Sequence, residues 1–250
     1  MAERAHAGAS ERFGSTGRKD AWWLTPALTA AGLLVLIGYA NWAALQGVHY
    51  EFGGYLSPLY SPKIHAPWWP FSPALLILIP PILFRATCYY YRKAYYRAFF
   101  LDPMACAVGE VHRGKYTGET RFPFVLQNLH RFAFYLAFLW LFFLWHDVWK
   151  ALWFDGHFGV GLGTIVILAS TGSLTLYTFS CHSFRHLVGG KLDCFSCSAN
   201  AKAQHGLWSR VSTLNGHHMG FAWISLFAVT LADVYVRLLS MGILHDVRLL

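Results

Sequence analysis

The sequence predicts an all-α protein, a polytopic bundle of five transmembrane helices. Of its 250 residues, 56% are hydrophobic and only 13% are charged, whereas roughly 25% of the residues of an ordinary soluble domain are charged. The chain also contains five apolar segments that are long enough to cross the roughly 30 Å hydrocarbon core of a bilayer. Both observations indicate a membrane protein.

The five predicted spans follow a polar N-terminal segment. Residues 1–20 lack the apolar core of a signal peptide, so we expect a flexible cytoplasmic tail before a membrane domain at residues 21–250. Pro80 and Pro81 interrupt the second span and should kink it. No internal repeat is expected. We place the spans at Trp22–Gln46, Pro73–Tyr91, Phe124–Trp149, Gly159–His182 and Val211–Leu239.

The distribution of Lys and Arg predicts the orientation. Fourteen of these residues lie in the tail and in the loops after the second and fourth spans, whereas the two opposite loops carry one each, Lys63 and Lys150. Cytoplasmic loops are enriched in Lys and Arg. We therefore expect a cytoplasmic N-terminus and an external C-terminus, and the net charge of +8 indicates topology rather than nucleic-acid binding.

This topology brings all five cysteines to the cytoplasmic side, together with seven histidines. Structural disulfides are rare in a reducing cytoplasm. Ligating groups at the membrane boundary are costly unless they have a partner. The clustering of thiols and imidazoles therefore predicts metal or redox chemistry.

Cys88 lies at the cytoplasmic end of the second span. Helical spacing predicts that Arg85, Cys88 and Arg92 share one face. Two cations beside a thiol favour the thiolate, which is the form that binds metals. The alternative is a packed core cysteine beside a cationic membrane anchor. Cys181, in the fourth span, is expected at the same depth.

Four histidines near the ends of spans are candidate cofactor ligands. His182 and His186 are spaced i, i+4 and should share a helical face. His130 opens the third span and His218 opens the fifth, where each could bind a cofactor or contact a quinone.

The remaining cysteines lie in loops. Cys194 and Cys197 form a single CxxC pattern, which could bind zinc with His186 and His205 or consist of two free thiols. Cys106 and His112, in the loop before the third span, are further possible ligands.

Four segments in combination resemble the membrane-anchor subunit of succinate dehydrogenase, in the single-subunit, five-helix form of respiratory complex II from actinobacteria and similar lineages. These segments are Thr87–Arg97, Cys106–Phe132, Cys181–Gly190 and Leu214–Trp223.

The resemblance implies two soluble partners, a flavoprotein subunit that oxidises succinate and an iron–sulfur subunit that docks on the basic cytoplasmic face. Electrons would pass into this anchor and reduce menaquinone or ubiquinone. The chain has neither a flavin-binding fingerprint nor a ferredoxin-type cysteine series, so it is not the succinate-oxidising subunit.

The family resemblance implies either haem b, held by paired histidines, or a Rieske-type [2Fe–2S] cluster. Such a cluster takes two thiolates on one iron and two imidazoles on the other. We favour the cluster because haem leaves both Cys88 and Cys181 without a role. The expected metal ligands are Cys88, Cys181, His182 and His186, with His130 and His218 as further cofactor-binding residues.

The resulting hypothesis is electron relay to a quinone near the cytoplasmic interface. His130, His218 and Arg85 are candidate proton donors, and Tyr89 or Trp208 could flank the quinone ring. Replacing His182 and His186 with alanine should abolish quinone reduction but leave succinate oxidation by a soluble dye. The alternatives are an independent haem-b electron carrier and a non-redox structural anchor.

Overall fold

The computed structural model describes residues 12–65, 67–102, 104–110, 126–154 and 156–250. Within these ranges the chain is predominantly helical. Its helices are α1 Leu24–Gln46, α2 Ala74–Ile77, α3 Ile79–Thr87, α4 Tyr89–Phe99, α5 Leu126–Lys150, α6 Leu162–Phe179, α7 His182–Gly189, α8 Ala199–Gly216 and α9 His218–Ser240. Two antiparallel hairpins pair β1 Glu51–Phe52 with β2 Tyr55–Leu56, and β3 Trp153–Phe154 with β4 His157–Phe158.

Four helices in the described part of the chain are long and apolar enough to cross a membrane. They are α1, α5 from Leu129, α6 and α9. Many of their large apolar side chains point away from the bundle, including Val35 at 68% and Phe132 at 68% exposure. Lipid solvates such surfaces in a membrane protein, so the all-α membrane class is confirmed.

The predicted second span is divided into α2, α3 and α4. The break between α2 and α3 falls at Leu78. Pro80 and Pro81 lie in the first turn of α3, where the missing N–H groups have no intrahelical partner to lose. The prolines therefore begin a new helix instead of kinking one continuous helix.

Two other predicted spans are shortened by a helix break. α6 ends at Phe179 rather than at His182, because Cys181 has extended backbone. The span predicted to begin at Val211 begins at His218, because α8 and α9 are separate helices divided at His217.

The helices pack with their breaks at one end of the bundle. α9 packs against α6 and α1, and α5 packs between α3 and α6. The ends of α3 and α6 lie beside the starts of α5 and α9, which we call the cysteine end. The two hairpins and the C-terminal residues lie at the opposite end, which we call the hairpin end.

A buried carboxylate organises the hairpin end. Asp233 on α9 is fully buried and accepts hydrogen bonds from the hydroxyls of Tyr39 and Ser57. Arg237, one turn later, pairs with it at 3.3 Å and donates to the carbonyl oxygen of Val48 at 3.0 Å. These bonds tie α1 and the first hairpin loop to α9.

A second carboxylate fixes the C-terminus to the same end. Asp246 accepts hydrogen bonds from Tyr55 at 2.6 Å and from Tyr235 at 2.7 Å. Burial and the hydrogen bond to Asp246 raise the pKa of Tyr55 to about 12. The Tyr55 hydroxyl therefore keeps its proton and remains a donor at physiological pH.

The described part of the N-terminal tail contacts the loop after α4. The backbone N–H of Gly14 donates to the carbonyl oxygen of Gly109 at 2.9 Å, and the N–H of Gly109 donates to the carbonyl oxygen of Ser15 at 2.8 Å. Arg18 donates to the carbonyl oxygen of Cys106 at 2.9 Å. Residues 14–18 therefore cover part of the cysteine end.

Candidate cofactor site

Two cysteine side chains lie buried together at the cysteine end. Cys88 and Cys181 are each 1% exposed, and they share an apolar cluster with Phe84, Phe134 and Tyr177. The two thiols are close enough to interact electrostatically. The expectation that Cys88 and Cys181 meet at one depth therefore agrees with their placement.

Each cysteine occupies a break between two helices. Cys88 separates α3 from α4 with φ −62° and ψ 133°, and Cys181 precedes α7 with φ −64° and ψ 143°. This extended backbone changes the direction of the chain at the sulfur. The prediction that Arg85, Cys88 and Arg92 share a face of one helix is wrong for this reason.

One histidine approaches each thiol from a different helix. Nε2 of His130, on α5, lies 3.1 Å from Cys181 Sγ, and Nε2 of His218, at the start of α9, lies 3.5 Å from Cys88 Sγ. We call Cys88, Cys181, His130 and His218 the four-residue group.

A hydroxyl group sets the tautomer of each histidine. Thr87 Oγ1 donates to a carbonyl oxygen one turn earlier at 2.7 Å, so at its 3.0 Å contact with His130 the ring Nδ1–H donates. Ser180 Oγ likewise donates to a carbonyl oxygen at 3.0 Å and accepts from Nδ1–H of His218 at 2.7 Å. Each Nε2 therefore directs a lone pair at a sulfur, as in a histidine that is oriented to bind a metal.

An aromatic ring supports each imidazole. The ring of Phe84 stacks on His130 with centroids 4.7 Å apart and planes inclined by 6°. Tyr177 stacks on His218 with centroids 4.9 Å apart and planes inclined by 16°. These contacts exclude water from one face of each imidazole and restrict its rotation.

Within the described residues, no three His, Cys, Asp or Glu side chains are placed to hold one metal ion. The four-residue group instead consists of two neighbouring thiols and two neighbouring imidazoles. Each imidazole in the group lies beside one of the two thiols.

Comparison with protein families identifies the chain. The family model described as actinobacterial succinate dehydrogenase subunit SdhC matches residues 24–242. The chain belongs to this family. It is a membrane-anchor subunit of succinate dehydrogenase and has no complete active site of its own.

A solved structure agrees with the family assignment. The chain is similar to a chain of the Mycobacterium smegmatis Sdh1 complex in the apo form, with 39% sequence identity and a TM-score of 0.86, over 99% of this chain and 98% of that chain. No curated protein matches the chain. The resemblance inferred from four sequence segments is thus confirmed.

The two halves of the SdhC site share a sequence pattern, although no repeat was expected. Phe84–Arg92 reads FRATCYYYR and Tyr177–Arg185 reads YTFSCHSFR. In both, an aromatic residue precedes the cysteine by four positions, a hydroxyl residue precedes it directly, and an aromatic–Arg pair follows. The aromatic residue and the hydroxyl residue each contact a histidine, so this pattern was the sequence signal for the four-residue group.

The structure places the other two predicted ligands on α7. His182 is exposed at the first position of this helix, yet it lies near enough to act electrostatically on His218. His186 is half-buried one turn later, beside Gly190. The metal-binding role of these two histidines stays a prediction, and the four-residue group is formed without them.

The loop between α7 and α8 differs from the expectation for a reducing compartment. Cys194 and Cys197 are joined by a disulfide, so neither the two free thiols nor the zinc site describes this loop. Cys106 is a free, exposed cysteine. His112 lies outside the described residues.

The predicted quinone contacts are dispersed. Arg85 hydrogen-bonds Tyr91 and donates to Ser225 Oγ at 3.1 Å. Tyr89 is 61% exposed. Trp208 packs instead under the guanidinium of Arg185, 4.5 Å from its ring centroid. Contact of these residues with a quinone stays a prediction.

A cavity of about 510 Å³ lies beside the four-residue group. Tyr90 lines it and also approaches the ring of His218, with a centroid distance of 5.3 Å. The hydrogen bond from Arg18 holds the pKa of Asp20 below its usual value, so both groups are charged. The cavity combines aromatic and charged walls, formed in part by Arg18, Asp20, Trp22, Tyr90, Tyr91, Lys93, Arg97 and Trp223.

Proposed function

We propose that this SdhC subunit relays electrons from a docked iron–sulfur subunit to a quinone through a Rieske-type [2Fe–2S] cluster held by the four-residue group. The observation that carries the proposal is the buried set of two thiols and two imidazoles, in which each Nε2 lone pair faces a sulfur. When bound, such a cluster accepts and releases one electron at a time.

The donor set fits this cofactor chemically. Cys88 and Cys181 provide the thiolates for one iron, while His130 and His218 provide the imidazoles for the other. Burial of two thiolates is unfavourable in the absence of a cation, so cluster insertion would supply the positive charge that this site needs. Haem b held by His130 and His218 would leave both cysteines without a role.

The chain's own residues orient and protect the ligands. Thr87 and Ser180 hold the histidine tautomers, and Phe84 and Tyr177 cover the imidazoles. Outer-shell hydrogen bonds of this kind raise metal affinity and fix ring orientation. These contacts pre-form the histidine half of the site.

We assign the quinone headgroup to the cavity beside His218. Its aromatic walls can enclose a ring, and Tyr90 spans the short distance to the imidazole. The charged pair of Arg18 and Asp20 lies at the protein surface, where water can deliver the protons that quinone reduction consumes. This assignment replaces Tyr89 and Trp208 as the residues that flank the ring.

The membrane topology completes the proposal. Since Lys and Arg are concentrated at the cysteine end, we place this end in the cytoplasm. Helices α2–α4 then form the fifth crossing, because the chain must pass from the hairpin end after α1 to the cysteine end before α5. The flavoprotein and iron–sulfur subunits of succinate dehydrogenase are the soluble partners.

The experiment is visible and electron paramagnetic resonance (EPR) spectroscopy of the purified, partly reduced complex. A rhombic [2Fe–2S] signal of low average g value, in addition to the signals of the iron–sulfur subunit and without a Soret band from haem, is the expected result. A Soret band with a reduced α band would instead establish haem b, and the absence of any cofactor in the anchor would favour a structural role.

A further inference from the structure

A second cavity, of about 400 Å³, lies at the hairpin end between the last turns of α5 and the first hairpin. The turn of that hairpin packs on the end of α5, since a Cβ atom at Gly54 would lie 3.0 Å from the carbonyl oxygen of Lys150. Phe143 also lines the cavity and precedes Lys150 by seven residues, or about 10 Å along the helix. We call this space the hairpin cavity. It extends from the end of a membrane span into the span itself.

Exposed tryptophans mark the same level of the molecule. Trp145, Trp149 and Trp153 all have exposed side chains around the end of α5. Tryptophan is enriched where the hydrocarbon core of a bilayer meets the headgroups. The hairpin cavity therefore lies at the depth of lipid headgroups.

The charges that line the hairpin cavity are balanced but incompletely paired. They belong to Glu51, Lys63, Asp147 and Lys150. Lys63 Nζ donates to both carboxylate oxygens of Glu51, at 2.8 and 2.6 Å, so these two charges neutralise each other. Within the described residues, neither Asp147 nor Lys150 has an ion-pair partner. One carboxylate and one ammonium group thus remain for a ligand.

Asp147 is the buried member of this set. Its Oδ2 accepts a hydrogen bond from the Ser61 hydroxyl, whereas no described residue donates to its Oδ1. A buried carboxylate is unfavourable unless a cation or further donors accompany it. Lys150 follows Asp147 by three residues, which places their Cβ atoms about 5–6 Å apart on the helix surface. A ligand that carries a cation and an anion a short distance apart would match both groups.

An apolar stripe leads along α5 to the hairpin cavity. It consists of four exposed side chains spaced by three or four residues, Phe132, Leu136, Leu139 and Phe143. Residues at this spacing share one face of a helix. Lys150 continues the same face seven residues after Phe143. The stripe can therefore contact an acyl chain whose headgroup lies beside Lys150.

We propose that the hairpin cavity binds a phospholipid with an ethanolamine headgroup. The primary ammonium of the headgroup donates to Oδ1 of Asp147, and the phosphate accepts from Nζ of Lys150. The two carbons of ethanolamine hold these opposite charges a short distance apart, as Asp147 and Lys150 require. Both contacts are charge-assisted hydrogen bonds, and the apolar stripe of α5 adds contact with an acyl chain.

Native mass spectrometry of the intact, delipidated complex in detergent tests the proposal. Phosphatidylethanolamine should bind about tenfold more tightly than phosphatidylcholine, whose methylated ammonium has no N–H to donate, and than phosphatidylglycerol, which lacks the cation. Equal affinity for all three lipids would overturn the headgroup assignment. Equally tight binding of phosphoethanolamine, which has no acyl chains, would overturn the lipid assignment in favour of a soluble phosphate compound.

Two variants assign the contacts. Lys150→Gln changes an exposed side chain and should weaken binding of phosphatidylethanolamine about tenfold, whereas Lys202→Gln, an exposed lysine of α8, is the matched control and should bind as wild type does. Asp147→Asn should remove the preference for phosphatidylethanolamine over phosphatidylcholine. Because Asp147 is buried and its variant can fail to assemble, Lys150→Gln decides alone in that case. Wild-type affinity in Lys150→Gln would overturn the proposal.

Discussion

At the scale of single residues, the site depends on which nitrogen of each histidine carries hydrogen. Thr87 and Ser180 each use their own hydrogen to bond a carbonyl oxygen, so each must accept from Nδ1–H of a histidine. This leaves both Nε2 atoms free as donors to a metal. The adjacent sulfurs then complete the proposed set of ligands, which no single helix could supply.

The four-residue group makes a prediction that is opposite to the sequence-based one. His130→Ala or His218→Ala should remove the [2Fe–2S] signal of the anchor, because each removes an iron ligand. The double variant His182→Ala/His186→Ala should retain the signal, since the group forms without these side chains. EPR of the purified complexes decides between the two pairs, and a loss of signal only in the α7 double variant would restore the original ligand assignment.

The contacts of Thr87 and Ser180 with the histidines predict that loss of either hydroxyl weakens metal binding without abolishing it. Thr87→Val removes the oxygen that accepts from His130 while preserving the shape of the side chain. Loss of a hydrogen bond that orients a metal-binding histidine typically reduces metal affinity by about 10–100-fold. During mild chelation, the Thr87→Val complex should therefore lose more iron and acid-labile sulfide than the wild-type complex does.

Thr230→Val is the matched control for that experiment. Thr230 is a partly buried residue of α9 whose hydroxyl bonds only one turn back, to Leu226 at 3.0 Å. The Thr230→Val complex should lose no more iron during chelation than the wild-type complex does. Equal iron loss from both variants would show that the contact with His130 has no specific role.

At the scale of secondary structure, helix ends and breaks create the site. Cys88 and Cys181 each adopt extended backbone at the start of a new helix. A continuous helix would space its ligands along one face at i, i+4, as assumed for His182 and His186. The breaks turn the thiols inward, where His130 lies near the start of α5 and His218 begins α9.

The hairpin end carries a buried ion pair whose role is structural. Asp233→Ala should destabilise the complex by about 3–5 kcal/mol, because it leaves Arg237 buried without its carboxylate partner. The midpoint of thermal unfolding should drop while the cluster EPR signal of the folded protein stays the same, since the pair lies at the end opposite the four-residue group.

A double variant separates charge burial from packing. Asp233→Ala/Arg237→Ala removes both charges, so it should be less destabilised than the sum of the two single variants. Strict additivity of the unfolding midpoints would contradict the stabilising contact between Asp233 and Arg237.

At the scale of the whole molecule, composition predicted the membrane environment better than it predicted the residues of the cofactor site. The apolar segments that form α1 and α9 identify membrane helices because each is long enough to cross the hydrocarbon core of a bilayer. Cys88 and Cys181 could be matched in depth from the positions of the spans. Pairing them with His130 and His218 requires knowledge of which helices pack together, and that information is not contained in helical periodicity.

Other features depended on local backbone choices that composition does not reveal. Pro80 and Pro81 indicated an irregular span, but only the structure places them in the first turn of α3. The Cys194–Cys197 disulfide contradicted the expectation that cysteines in a cytoplasmic loop stay reduced. The repeated pattern around each cysteine was visible in the sequence, but only the structure shows that the aromatic and hydroxyl residues of each half contact one histidine.

The placement of the soluble subunits can be tested by charge reversal. Lys191→Glu/Lys202→Glu changes two exposed cations near the cysteine end, so the iron–sulfur subunit should dissociate at lower salt than in wild type, because surface attraction is screened by salt. Lys150→Glu, at the hairpin end, is the control and should leave the salt dependence unchanged. Selective weakening by Lys150→Glu would place the docking surface at the opposite end.

Pulsed EPR of the reduced complex containing ¹⁵N-labelled histidine tests most directly whether the four-residue group holds a cluster. In the wild-type complex we expect strong coupling of the anchor cluster to two histidine nitrogens, whereas His130→Ala and His218→Ala should show no anchor cluster signal. A cluster without histidine coupling, or one whose couplings persist in both variants, would contradict the assignment of the four-residue group as its ligands.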